Sequence, residues 1–190
     1  MAVSGSTDFN LEAAEVIQEA YERCGLQEIS GKDLRSAVRT MNVLMSEWAN
    51  RGLNLWTIQQ REATVTAGTQ SISGTTLYSV DSAGNATTDA NDSAQIVDID
   101  SAVMSNSSGD YSMTKIGRST YWDYTVKTTQ GRPAQYYFER TILPTVYFFP
   151  AADSTYTFKY YASLRMTDIN AYTKNAMIPF RFLPCLVSRS

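Results

Sequence analysis

Thr145–Ala162 reads TVYFFPAADSTYTFKYYA. Two runs rich in aromatic and β-branched residues, Val146–Phe149 and Tyr156–Ala162, flank a breaker made of Pro150 and Ala151–Ser154. Period-two alternation in such composition predicts strands. Tyr156, Phe158 and Tyr160 then face one side and Thr157, Lys159 and Tyr161 the other. The first set is expected to be core. Upstream, Gly131-Arg132-Pro133 marks a turn before a third run, Tyr136–Arg140, which Pro144 separates from the second. An antiparallel meander of the three runs is the natural arrangement. The back of the chain is β.

Working toward the N-terminus, weaker strand patterns occupy Arg61–Thr66, Ile72, Leu77–Val80, Gln95–Ile99, Ala102–Met104 and Tyr111–Ile116, with a helical turn at Ser119–Tyr124. Asp81–Ser93, DSAGNATTDANDS, has no large apolar residue and predicts an exposed loop or hairpin tip. The front of the chain changes period. Leu34, Ala37, Val38, Met41, Leu44, Met45 and Trp48 trace one helical stripe. Ser30 and Asp33 resemble a capping box shortened by one methylene, and Gly52 ends the pattern. Before it, Leu11, Ala14, Ile17, Ala20, Tyr21 and Cys24 predict a shorter helix, capped by Asp8 or Asn10 and stopped by Gly25.

The expected fold is therefore α+β. An antiparallel helical hairpin (1–52) packs with an antiparallel β domain of sandwich or meander type (53–177) carrying the exposed loop 81–93. Residues 178–190 start a C-terminal helix that is cut short.

Composition closes much of the catalytic menu. The chain has 190 residues and no histidine, which removes Ser-His-Asp and Cys-His nucleophile systems, a His general base and His metal ligands. Two distant cysteines, Cys24 and Cys185, cannot make a Cys₄ zinc site or a disulfide framework, and they fit synthesis in a reducing compartment. There is no basic n-region with an apolar stretch at the front and no apolar run of membrane-spanning length. No membrane role is expected.

The motifs that remain are weak. Ser112-Met-Thr-Lys115 has S-x-x-K spacing, but a strand context splays the Ser and Lys that a helical turn would bring together. Glu12, Glu15, Glu19 and Glu22 share a helical face. A glycosidase needs two carboxyl groups opposed across a cleft, so the stripe reads as solvated, lining an aqueous lumen or meeting a basic neighbour. Asp81, Asp89, Asn91 and Asp92 do not follow a calcium-loop spacing and read as a solvated loop, in which Asp81, Asn85, Asp89 and Asp92 are the candidate docking residues. No phosphate-binding glycine loop occurs. No cofactor or metal is expected, and no enzyme.

Charge is divided along the chain. Residues 1–110 hold fifteen acids against six bases, net −9, while 111–190 hold four acids against ten bases, net +6. Arg132, Arg140, Arg165 and Arg181 belong to the basic part, scattered singly rather than as the cluster a base-reading protein needs. With the acidic stripe they are the candidate interface or channel-facing residues. Copies of such a chain could meet acidic front to basic rear. Negative walls would also let a duplex slide past without gripping it.

Three segments carry a likeness to known proteins: Trp48–Trp56 (WANRGLNLW), the Gly131-Arg132-Pro133 turn with Tyr136-Tyr137, and Ile178–Leu183 (IPFRFL). With them the chain resembles the head-to-tail adaptors of short-tailed bacteriophages, also called tail accessory factors, head-completion or tubular tail proteins. The resemblance implies a structural virion protein of the neck or tail, made in the host cytoplasm. Its partners would be further copies of itself in a ring, commonly of twelve, although an isolated chain can be monomeric. The portal protein would lie above, a tail or nozzle protein below, and double-stranded DNA would pass through without sequence-specific binding. It implies roles in tail assembly, DNA retention and ejection, and no active residues. In similar proteins the IPFRFL segment opens a longer helix, whereas this chain stops at Ser188-Arg189-Ser190.

Two other classes compete. A receptor- or carbohydrate-binding β module of a phage tail would use aromatic strands and polar loops, and needs exposed Tyr or Trp platforms. A cell-wall hydrolase would use paired Glu residues of the stripe.

Overall fold

The computed structural model describes residues 12–25, 30–53, 55–73, 77–80, 86–87, 96–170, 173 and 178–189. The protein is α+β and divides into two compact units. Residues up to Trp56 and from Met166 onward form the first, and Thr57–Arg165 the second. Met166 and Ile169, placed with the β domain on sequence grounds, therefore belong with the helices.

In the helical unit α1 spans Ala13–Arg23 and α2 spans Gly31–Asn50. Ser30 caps α2 reciprocally: Asp33 N donates to Ser30 Oγ and Ser30 N to Asp33 Oδ2. The hydrogen bonds from Ser30 hold the Asp33 carboxyl below its ordinary range. The other end of α2 closes with Gly52 at φ +74°, while Gly52 N donates to Ala49 O and Leu53 N to Trp48 O. That pair of bonds defines a Schellman motif, and only glycine takes its left-handed residue without strain.

The α1 cap differs from expectation. Glu12 is the N-cap, its N–H donating to Glu15 Oε2 at 2.9 Å, while Asp8 and Asn10 lie outside the described residues. The α1 seam is Ala13, Val16, Ile17 and Ala20, and Cys24 is exposed. Counting cysteine as apolar had rotated the expected stripe.

A second chain segment completes this core. Phe180–Phe182 form a 3₁₀ turn leading into α4, Leu183–Arg189, with Pro184 in its first turn, where a missing N–H costs nothing. Leu186 and Val187 are buried with Met41, Leu44, Met45, Trp48 and the α1 seam. Asn42 fixes the incoming strand-like segment through both amide atoms, donating to Ile169 O at 3.0 Å and accepting from Ile169 N at 2.9 Å.

Among the described residues the β unit contains twelve strands. β1 (Ile58–Val65), β3 (Tyr78–Val80), β4 (Ala86–Thr87), β5 (Ile96–Asn106), β6 (Gly109–Ser112) and β12 (Tyr156–Leu164) form an antiparallel sheet in the order β4-β3-β1-β12-β5-β6. A second sheet runs β2-β10-β9-β7, from Ser71–Ser73, Thr145–Phe149, Gln135–Glu139 and Thr114–Lys115, with β7 parallel to β9. β8 (Gln130–Gly131) and β11 (Ala151–Ala152) make a short parallel pair. Inward residues of both sheets share one core, including Phe158, Tyr160 and Met104 from the first and Tyr136, Phe138 and Phe148 from the second. Tyr156, Phe158 and Tyr160 are buried as expected.

The meander is not. β9 and β10 pair, but β12 leaves them and inserts between β1 and β5, with Phe158 opposite Ala63 and Met104. Alternation fixes which residues face the core, and it says nothing about which sheet supplies the partner. Similarly, the expected strand Tyr111–Ile116 switches sheets at Met113, giving β6 and β7. The two expected strands Gln95–Ile99 and Ala102–Met104 are one, β5, whose register shifts twice against β12. β4 falls within the expected loop 81–93 and pairs with β3. Finally α3, Arg118–Asp123, sets the buried Tyr121 against Tyr137 and Tyr147 of the second sheet, as a helical turn was expected there.

Candidate functional site

The acidic stripe of α1 is real, and its members have local duties. Glu15 holds the cap, Glu19 pairs with Arg23 at 2.8 Å, and Glu22 Oε1 accepts from Gln18 Nε2 at 2.9 Å. All four glutamates, Glu12 included, are exposed, so none sits in the apolar pocket that would make one a general acid.

The four arginines do not form a patch. Arg132 lies over the Tyr111 ring at 4.1 Å, and Arg140 donates to Asp98 Oδ2 at 2.6 Å. Arg165 is exposed just beyond β12, and Arg181, in the helical unit, lies 5.5 Å over the Phe182 ring. The basic rear of the sequence is thus dispersed over two units. Asp81, Asn85, Asp89 and Asp92 lie outside the described residues. Among the described residues no three acidic or cysteine side chains gather as metal ligands, and no helix is long and apolar enough to cross a membrane.

Sequence reading missed the Asp98 cluster. Asp98 on β5 receives Lys115 Nζ from β7 at 2.6 Å, Arg140 from the end of β9 and the Ile99 amide at 2.9 Å. Burial pushes the Asp98 carboxyl up, but the Lys115 hydrogen bond, the Ile99 amide and both cations outweigh it, leaving the group below its ordinary range. Because β5 and β7–β9 belong to different sheets, this is a charged clasp across the sandwich edge. It also disposes of the S-x-x-K motif. Lys115 is committed to Asp98 and to Ile99 O, while Ser112 is exposed at the end of β6. Tyr136 nearby is pushed up to about 12 by burial, then by Asp98 and Asp100. It stays a neutral core phenol.

The aromatic segments also explain the residues that carried the likeness. Trp48 and Trp56 both meet Phe182, at centroid distances of 6.3 and 5.0 Å. Two of the three segments therefore exist to pack on each other.

Two surfaces are left without internal employment. One is the β9–β10 turn. Thr141 Oγ1 donates to Leu143 O at 2.6 Å and Thr141 N to Glu139 O at 3.1 Å, which holds Ile142 90% and Leu143 59% exposed. The other is α2. Lys32, Arg35 and Arg39 recur at spacings of three and four on the face opposite the buried Ala37-Met41-Met45-Trp48 seam, followed by Val43, 63% exposed. Spacing alone could have found this stripe, since it is periodic in the sequence.

Neither a protein-family model nor a curated protein sequence matches the chain.

Proposed function

We propose that this chain is a structural virion protein, an adaptor whose copies form a ring joining the portal vertex of a capsid to the tail and extending the DNA channel. The observation that carries the reading is the Thr141–Leu143 turn: a hydrogen-bonded scaffold spends two aliphatic side chains on the surface. Exposed apolar groups on an ordered support belong to proteins that work by being covered. The residue likeness to phage adaptors in Trp48–Trp56, Gly131–Pro133 with Tyr136-Tyr137, and Ile178–Leu183 supports the same reading, since those residues serve packing and turns. The mechanism is geometric. Each copy presents one surface to the portal and another to the tail, and no bond is made or broken.

Mass determination of the chain with purified portal, alone and mixed, tests it. Addition to the portal ring is expected, and its loss in Ile142→Asp/Leu143→Asp would map the contact. A chain that never adds to a portal or a tail component sinks the adaptor reading.

A saccharide-binding module is the second reading, favoured by Trp122, 59% exposed beside Tyr121. Against it, the Lys127 ammonium already lies 5.0 Å over that indole. Glycan binding abolished by Trp122→Ala would decide for it.

A further inference from the structure

We propose that the Lys32-Arg35-Arg39 face of α2 receives the acidic face of α1 from a second copy of this chain, making a head-to-tail contact between helical units. The proposal deepens the adaptor reading by naming the subunit surface that such a ring would use.

The first argument is complementarity. Lys32, Arg35 and Arg39 are exposed, and no ion pair to any of them occurs among the described residues, whereas Arg23 and Arg51 on the same two helices each have a glutamate four residues back. The spacings match as well. Lys32-Arg35-Arg39 and Glu22-Glu19-Glu15 each extend over seven residue steps, taken as three and four. At about 1.5 Å per residue both stripes are about 10 Å long. A three-on-three alignment of opposite charges exists in the antiparallel direction, with Glu15, Glu19 and Glu22 each also serving a bond on their own helix.

The second argument is the position of two of the charges on their helices. Lys32 sits in the first turn of α2 and Glu22 in the last turn of α1. A helix macrodipole disfavours a cation at its N-terminus and an anion at its C-terminus. These charges stand at the wrong ends of their own helices, yet each is well placed against the other's stripe.

The third argument is geometry of closure. The acidic face is on α1 and the basic face on α2, so in a head-to-tail, heterologous contact two different patches meet. Each copy keeps one face of each kind free for the next, as a ring requires. Val43, following Arg39 on the same face, supplies an apolar element at the edge of the contact. The basic partner of the acidic front is thus on α2, and not the dispersed Arg132, Arg140, Arg165 and Arg181.

A charge-swap experiment on the full chain tests this. Variant one is Glu19→Lys/Glu22→Lys, and variant two is Arg35→Glu/Arg39→Glu; Glu12 and Glu15 are left alone because they form the cap. Native mass and sedimentation at low salt read association, and far-ultraviolet circular dichroism checks helicity. Wild type is expected to associate and to weaken as salt rises. Each variant alone should associate at least roughly tenfold more weakly, as for loss of close charge pairs in an interface. An equimolar mixture of the two should recover association, because the basic α1 of one then meets the acidic α2 of the other. A wild type that stays monomeric, a variant that associates like wild type, or a mixture no better than its parts overturns the proposal. So does a monomer that retains duplex DNA through Arg35 and Arg39. The two readings fail separately: variants that still join a portal ring as wild type does reject this contact and leave the adaptor standing.

Discussion

The cations of the β unit and the three on the outer face of α2 are placed in opposite ways. In the β unit Lys115 and Arg140 clasp Asp98, Lys159 lies 3.6 Å from Asp110, and Arg132 and Lys127 cover aromatic rings. Lys127 also donates to the Tyr124 and Trp122 carbonyls behind α3. On α2, Lys32, Arg35 and Arg39 make no ion pair among the described residues, and Lys32 acts only through its charge on neighbouring Asp33. The same residue types are mortar in the β unit and open surface on this face of α2, while Arg23 and Arg51 of the helical unit pair with Glu19 and Glu47. A count of charge along the sequence cannot tell these apart: the net +6 of residues 111–190 includes cations already engaged within the β unit.

The comparison breaks most visibly in the cores. Phe158, fully buried against Tyr136, Phe148 and Tyr160, anchors the sandwich. Phe158→Ala is expected to cost about 3–5 kcal/mol in denaturant unfolding. In the helical unit Leu186→Ala should cost about 2–4 kcal/mol, since its cavity opens against α1 and α2. A loss under about 0.5 kcal/mol would mean that α4 does not close that core. Asn42→Ala comes next, at about 1–2 kcal/mol, because the Ile169 N–H and C=O both lose a partner in a half-buried place.

Asp98→Asn sharpens the electrostatic side. The clasp is partly solvated, so screening limits the expected loss to about 1 kcal/mol at neutral pH. The sign with pH is the diagnostic. Asp98 is depressed in the fold, so its contribution is present above the ordinary carboxylate value near 3.8 and fades as pH falls through the lower folded value. Wild type and variant should therefore converge in acid, which an acid titration of stability at two denaturant concentrations will show. The smallest effect belongs to Arg35→Glu/Arg39→Glu, at about 0.5 kcal/mol or less for a change on an exposed helix face. A large loss there would make those arginines structural and erase the contrast.

Local signals were legible where a residue's neighbours in sequence are its neighbours in space. The α2 stripe, the Ser30–Asp33 box, the Gly52 stop and the buried side of β12 all follow from spacing of three, four or two. What escaped depends on distant pairing. Ile58 opposite Ser163 and Phe158 opposite Met104 draw β12 out of the expected meander, and neither leaves a local trace. Asp98 meets Lys115 across 17 positions and Arg140 across 42, so no motif scan could join them. The α2 cations are a different case. They were periodic in plain sight, and reading the bases as single scattered charges hid them.

The passage of the chain out of and back into the helical unit sets an order of events in synthesis. α1 and α2 leave the ribosome first, but Met41, Met45 and Trp48 have no full cover until Leu186 and Val187 follow the whole β unit. At ~5–20 residues per second that interval is on the order of ten seconds. For that time the apolar seam of α1 and α2 lacks the cover that Leu186 and Val187 give it. The helices are made first, and the core that backs them is completed last.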